Sequence, residues 1–477
     1  MSESELEGAV RTAADTYGLE CSEAELAAAV AEAESIAEAL RGLDATDPGD
    51  DPATDVVEAD DEYHALRYRF SLANGDGPLT GLSLGVKDNL AVAGVPMTCG
   101  SASLSYTPDF HATAVRRLVD AGGDVVATTN MDEFAYFTTG ETCAHGPIAN
   151  PVDEEAVPGG SSSGSGAAVA AGMLDAALGT DTGGSVRIPA SYCGVVGLKP
   201  THRSISRFGF VDLAPSLDHV GVLASSVETA GAVFEAIGGP DPRDPSSQAA
   251  SVPDGTIDDA VDERRIGVVE EALAAADGAV VEAVEATVVS LEEQGVVVDR
   301  VSLPSFDATP LALLAVSGLE FARLVADDGV VYGTGTGYSE GKRASLADLR
   351  DRGAFGENVA DQLLVNGALL EESGGRHYVN AQRLREQFLA EVEEALAACD
   401  GLVLPTTPTA APSFGEVTDT DAFVRTISHT APFNLTGHPA MSVPCGAVDG
   451  RPVGCQVVGS WRDEHAVLSL GAAVERA

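Results

Sequence analysis

The sequence predicts an α/β protein: one large mixed β-sheet covered by helices on both faces, with a small helical segment at the N-terminus. Three observations point there. Of the 477 residues 44% are hydrophobic and only 5% aromatic, so the core has to be filled mainly by Ala, Val and Leu. From residue 80 onward strand-like and helix-like runs alternate in βαβ fashion. Ahead of that the chain is first helical in pattern and then acidic.

In chain order, residues 4–16 and 22–41 read as two helices, the second with Ser22 as N-cap and Glu25 completing a capping box. The pair reads as a helical hairpin for packing or self-association. The stretch "DATDPGDDPATDVVEADDE" (44–62) reads as an acidic linker, so residues 1–75 form hairpin plus linker and residues 76–477 the main domain. There "LSLGVKDN" (82–89) reads as a strand, "ATAVRRLVDAGG" (112–123) as a helix and "DVVATTN" (124–130) as a strand. The same order returns in "RRIGVVEE", "GAVVEAVEATVVSLEEQG" and "VVVDRVSLP" between 264 and 304. Residues 311–398 read mostly as helices, and "GLVLPTTPT" and "MSVPCG" add late strands.

Charge narrows the function classes. With 74 acidic against 27 basic residues the formal net charge is −47, which argues against nucleic acid as a partner, because phosphate binding needs a basic surface. Three lysines remain, Lys87, Lys199 and Lys342, and arginine supplies the other positive charges. Acid loading with lysine depletion points to work in concentrated salt, where screening shortens to about 3 Å at 1 M. The 7 cysteines have no Cys-x-x-Cys pair, which fits a reduced cytoplasm. No signal pattern and no uncharged apolar run of about 18 residues is evident, so no membrane is expected.

The stretch "PGGSSSGSGAAVAAGMLDAALGTDTGGSVR" (158–187) opens with the composition of a flexible linker. It runs directly into a helix former and then a short apolar strand that ends in a second Gly/Ser turn. A helix over 166–174 rises about 13 Å and a strand over 175–179 returns about 16 Å, so the two turns meet. Glycines let both turns aim amide N–H groups at one point, where an oxyanion is stabilised. A phosphate cradle is the rival, but neither turn has the Lys-Ser/Thr of a P-loop. "GSSSG" (160–164) also fits the elbow pattern that would make Ser162 a nucleophile, but no strand precedes it and no histidine is assigned as its base, though His219 and His438 are available. A serine nucleophile needs a base near neutral pH. Lys87, at the end of an apolar strand where burial lowers its pKa, is one candidate; an edge lysine paired with Asp88 is the other reading.

Here "GVKDN" (85–89), "PGGSSSGSGAAVAAG" (158–172) and "GTDTGGSVRIPASYCGVVGLKPTH" (179–202) resemble the signature of the amidase signature family of serine hydrolases. The resemblance resumes in "LPTTPTAAP" (404–412) and "APFNLTGHPAMSVPCG" (431–446). It implies the amidase signature fold, no cofactor and no metal, and a Ser-Ser-Lys triad carried by Ser185 as nucleophile, Ser161 as proton relay and Lys87 as base. It further implies a cis Gly160–Ser161 peptide, an oxyanion hole from the amides of Thr182, Gly183, Gly184 and Ser185, and an acyl pocket at Thr138, Thr139 and Gly140. Asp181 and Arg187 read as a buried ion pair holding the loop, and Lys199 as structural.

Among family branches, "GGSSSGS", "RIPAS" and "KPTHRSISRFG" are more similar to nitrile-pathway amidases that carry an N-terminal helical extension. The A subunit of the amidotransferase, which supplies ammonia from glutamine, typically has "GGSSGGS", "RQPA" and "KPTYGRVSRYG". The expectation is therefore an amidase releasing ammonia from a linear small-molecule amide, cytoplasmic, without nucleic acid, and associating with itself through the N-terminal helices. The alternatives are the A subunit of glutamyl-tRNA(Gln) amidotransferase and a catalytically silent subunit on the same fold.

Overall fold

The structure, a computed structural model, describes residues 3–41, 43, 49–73, 75–248, 257, 261–333, 335–336 and 338–477. It divides into two compact units, Met1–Gly49 and Asp50–Ala477. In the first, Glu3–Tyr17 and Glu23–Arg41 are helices. The capping box forms: the Ser22 amide donates to Glu25 Oε2 at 2.8 Å and the Glu25 amide to Ser22 Oγ at 3.4 Å. Arg11 ties the helices together by donating to Glu7 and Glu23. Leu26 is the one buried side chain among the described residues of this unit.

The second unit is built on a twelve-stranded sheet. Its strands are β1 Thr54–Glu58, β2 Leu66–Leu72, β3 Ser83–Lys87, β4 Asp124–Thr129, β5 Ala176–Asp181, β6 Val196–Lys199, β7 His219–Ala224, β8 Arg265–Val269, β9 Val297–Val301, β10 Gly401–Pro405, β11 Ala440–Val448 and β12 Arg451–Val458. They lie in the order β1-β2-β4-β3-β5-β7-β6-β11-β12-β10-β8-β9. β3 runs parallel to both β4 and β5, and β8 to both β9 and β10, while the other pairings are antiparallel. The mixed sheet expected from the βαβ runs is thus present.

Alternate residues of β5 feed two cores. Ala176 and Leu178 join Leu84 and Val86 on one face, against helices Thr113–Asp120 and Val227–Ile237. Ala177 faces the other way, against Ala167, Ala168 and Ala190 of helices Ser163–Ala170 and Arg187–Cys193. Helices on both faces follow from this period of two.

Two strands lie where the sequence reads otherwise. β1 falls inside the stretch read as an acidic linker and pairs antiparallel with β2; residues 44–48 of that stretch lie outside the described residues. In β2 the inward residues Leu66, Tyr68 and Phe70 are buried, and the arginines between them hide the alternation. Helix Thr309–Ala326, with the short turn before it, is long and apolar enough to cross a membrane, but 56% of that window is buried inside the protein, as in a core helix. All 7 cysteines are free thiols.

Candidate active site

The parallel strands β3 and β5 are direct neighbours, with Val86 opposite Leu178, and both end at the same edge of the sheet. That crevice beyond the carboxyl ends of parallel strands is where α/β sheets gather ligands. Lys87 closes β3, Thr180 and Asp181 close β5, and the two Gly/Ser turns lie over them. The expected helix is Ser163–Ala170 and the expected strand is β5, and the turns do meet: the Ser162 amide donates to the Ser185 carbonyl at 3.1 Å.

Close approach, not flexibility, explains the glycines of the first turn. A Cβ on Gly160 would lie 2.0 Å from Asp132 Oδ2, and one on Gly164 2.2 Å from the Ala65 carbonyl oxygen. The Gly160–Ser161 peptide is cis, as the resemblance implies.

Ser161 is fully buried, and its hydroxyl lies 2.8 Å from Lys87 Nζ. Lys87 also donates to Thr180 Oγ1 at 2.8 Å and reaches the Thr180 carbonyl at 3.5 Å. A neutral amine has two N–H groups and one lone pair. With both N–H groups directed at Thr180, the lone pair is free to accept from the Ser161 hydroxyl. Burial pulls the Lys87 pKa down to about 7, against the raising effect of Asp132, Asp181 and Asp218. The edge-lysine reading fails, because the Asp88 carboxylate is occupied by Thr98.

Ser185, which is 5% exposed, follows the loop Thr182–Gly184. Asp181 shapes that loop. Its carboxylate accepts from the amides of Gly184 (2.9 Å) and Val186 (3.1 Å) and grips Arg187 through Nε (3.0 Å) and a second nitrogen (2.9 Å). Arg187 is wholly buried and continues to Gln456, Asn434 and the Thr430 carbonyl, so it is fully engaged as a brace. The Arg187 charge is a main cause holding the Asp181 carboxyl down at about 2 despite burial. One expectation changes here: the Gly184 amide is committed to Asp181, whereas those of Thr182, Gly183 and Ser185 carry no hydrogen bond among the described residues.

Thr138–Gly140 pack against the first turn, with a Gly160 Cβ position 2.9 Å from the Thr138 carbonyl carbon. Thr138 Oγ1 meets Thr426 Oγ1 at 2.9 Å, and the Gly140 amide donates to Asp132 at 3.0 Å. Tyr136 and Phe137, just before them, line a cavity of about 270 Å³ with Leu314, Asn358, Gln362 and Phe423.

The sequence reading missed Asp132, Asn89 and Thr180. Asp132 ties Gly140 and Thr142 to the turn, and Asn89 donates to Thr180 Oγ1 at 3.1 Å. Their signal was position alone, directly after β4 and β3 and near the end of β5. The elbow reading of Ser162 fails, since its hydroxyl bonds both the carbonyl and the amide of Thr180 at 3.2 Å and an irregular segment precedes it. His219 is held by Lys199 and by the carbonyls of Leu217 and Asp181, and His438 Nε2 faces Glu393.

A large mixed sheet with a buried lysine, a serine on a cis peptide and a glycine loop defines an amide hydrolase fold. The chain matches the Amidase family over residues 34–468 and belongs to that family. It is similar to the A subunit of the glutamyl-tRNA(Gln) amidotransferase of Halobacterium salinarum, at 43% identity over 84% of this chain and 96% of the relative. The corresponding protein of Haloarcula marismortui is also 43% identical, with the same coverage. Among solved structures, the A subunit from Thermotoga maritima superposes with a TM-score of 0.74 at 33% identity, covering 86% of each chain. A crystal structure of an amidase reaches 0.71 at 30% identity over 100% of this chain and 96% of that one.

These relatives correct two expectations. The nitrile-pathway likeness gives way to likeness to amidotransferase A subunits. Within the "RIPAS" form that counted toward it, Ile188 is fully buried and packs beneath Gly184. The expected partners, a small-molecule amide alone with no nucleic acid, are overturned as well, because the relatives are named as the A subunit of an amidotransferase of glutamyl-tRNA(Gln). An acidic surface on one component does not exclude RNA from the reaction of its assembly.

Proposed function

We propose that this chain is the A subunit of a glutamyl-tRNA(Gln) amidotransferase, hydrolysing the side-chain amide of glutamine to supply ammonia. The observation that carries this reading is 43% identity over 96% of the length of the Halobacterium salinarum protein. Such a role belongs in the cytoplasm.

The chemistry follows from the site. Ser185 Oγ attacks the amide carbonyl while its proton passes to Ser161, and the Ser161 proton passes to the Lys87 lone pair. The carbonyl oxygen becomes an oxyanion facing the amides of Thr182, Gly183 and Ser185, each worth about 3 kcal/mol in the transition state. As the C–N bond breaks, the proton returns from Lys87 through Ser161 to the nitrogen, and ammonia leaves. Water, deprotonated along the same relay, then releases the acid from Ser185. The 2.8 Å contact between Lys87 and Ser161 supports a catalytically active chain over a silent one.

The test is purified protein alone and with the remaining amidotransferase subunits, assayed in molar salt for ammonia release and for amidation of glutamyl-tRNA(Gln). Glutamine-dependent amidation that needs this chain is expected. Rapid ammonia release from simple aliphatic amides, with none from glutamine in either setting, overturns the reading.

A further inference from the structure

We propose that Asp218 is a positioning residue for the oxyanion hole, acting through the hydroxyl of Thr182; the inference rests on Ser185 being the nucleophile. Thr182 Oγ1 donates to Asp218 Oδ1 at 2.6 Å. The other carboxylate oxygen, Oδ2, accepts from the amides of Leu213 (2.9 Å) and Ala214 (3.0 Å). Asp218 is fully buried, and its own amide returns to the Ala214 carbonyl at 2.9 Å, so residues 213–218 form a closed turn with the carboxylate at its hub. The adjacent Asp212 carboxylate is paired with Arg207 at 3.1 Å, leaving Asp218 to the turn and to Thr182.

The loop needs this hold. Residues 181–184 are gripped at the Asp181 carbonyl by His219 and Asn434, at the Gly183 carbonyl by the Thr430 hydroxyl, and at the Gly184 amide by Asp181. The plane that carries the Thr182 amide is thereby fixed through its Asp181 carbonyl, whereas the plane that carries the Gly183 amide has one side-chain anchor beside it, Thr182 Oγ1. Without it that plane can rotate, and a Gly183 amide turned off its target loses most of its effect on an oxyanion while substrate binding elsewhere is untouched.

The experiment uses the full chain and a fluorophosphonate probe, whose P–F bond breaks as Ser185 Oγ bonds to phosphorus and whose P=O oxygen takes the oxyanion position. Thr182→Val keeps the shape and removes the donor; Thr182→Ser restores a donor. Asp218→Ala removes the partner of the Thr182 hydroxyl and of both backbone amides. The expected result is that Thr182→Val, with an unchanged melting temperature, slows labelling of Ser185 by about 10- to 100-fold and lowers kcat for glutamine in parallel, with KM unchanged. Thr182→Ser recovers most of the loss, and Asp218→Ala loses at least as much as Thr182→Val. Labelling of Thr182→Val at the wild-type rate, or Thr182→Ser as slow as Thr182→Val, overturns the positioning role alone. A wild-type protein unlabelled at Ser185 removes the nucleophile assignment, and the proposal with it.

Discussion

Lys87 and Lys199 are both wholly buried at the ends of strands in one sheet, yet their surroundings suit them to opposite tasks. Around Lys199, Nζ meets the His438 carbonyl at 2.6 Å, the Pro200 carbonyl at 3.3 Å and His219 Nε2 at 3.3 Å. Carbonyls only accept, and His219 donates from its other nitrogen to the Leu217 carbonyl at 2.6 Å, so every neighbour of Lys199 asks it for a proton to share. Around Lys87 two neighbours, the hydroxyls of Ser161 and Thr180, can give a proton. Burial makes a lysine willing to be neutral; a donor within reach makes it a base.

The sharpest way to break this comparison is Lys87→Arg. It keeps the charge, and guanidinium stays protonated at any working pH, so turnover should fall by at least about 10⁴-fold in a steady-state ammonia assay. The Ser161→Ala/Lys87→Ala double variant should be little worse than the poorer single one, as for groups that form one relay. Near-normal turnover of Lys87→Arg would make the two lysines equivalent. Lys199→Met is the mirror experiment: two carbonyls lose their donor, at about 1–3 kcal/mol each, so chemical denaturation should show a loss of a few kcal/mol while turnover per folded molecule stays within about 3-fold.

The pH profile sharpens the contrast further. With Lys87 at about 7, kcat/KM should fall on the acid side with an apparent pKa near that value as the amine protonates. The stability sign agrees. Lys87 sits below the usual lysine range, so between pH 7 and the unfolded value near 10.5 the folded chain binds fewer protons, and this group's contribution to stability rises with pH. Asp181, held at about 2, contributes stability above its unfolded value that is lost as pH falls through 2. The smallest effect separates surface from interior. Molar potassium chloride should raise the melting temperature of a chain carrying −47, while the acid-limb pKa moves by less than about half a unit, because buried charges are weakly screened. A melting temperature highest without salt would defeat the salt-adapted reading.

Much of the site was legible because its residues are local in sequence. The two serine turns are joined by one helix and one strand, and their meeting follows from rise per residue. β3, β4 and β5 were legible because apolar runs buried on both faces admit few other readings. β1 and β2 were not, since acidic and arginine residues mask an alternation that only pairing makes visible. Asp132, Thr180 and Asp218 escaped because their roles are set by what they face across the fold, and a lone Asp or Thr has no local signature. The A-subunit reading stood only as an alternative because short motif forms such as "RIPAS" were weighed above the likeness of the whole chain.

The crowding around Gly160 and Gly164 bears on how this protein can change. A stretch that looks like the least constrained piece of the chain is the one in which the smallest added side chain collides with a carboxylate or a carbonyl. Random substitution across residues 159–166 should therefore yield almost only dead protein, and new substrate preferences have to be sought elsewhere. The walls of the neighbouring cavity, at Phe137, Leu314, Asn358, Gln362 and Phe423, lie on helices and a loop that can exchange side chains without touching the turn. Those walls have room for other side chains, while the serine stretch has almost none.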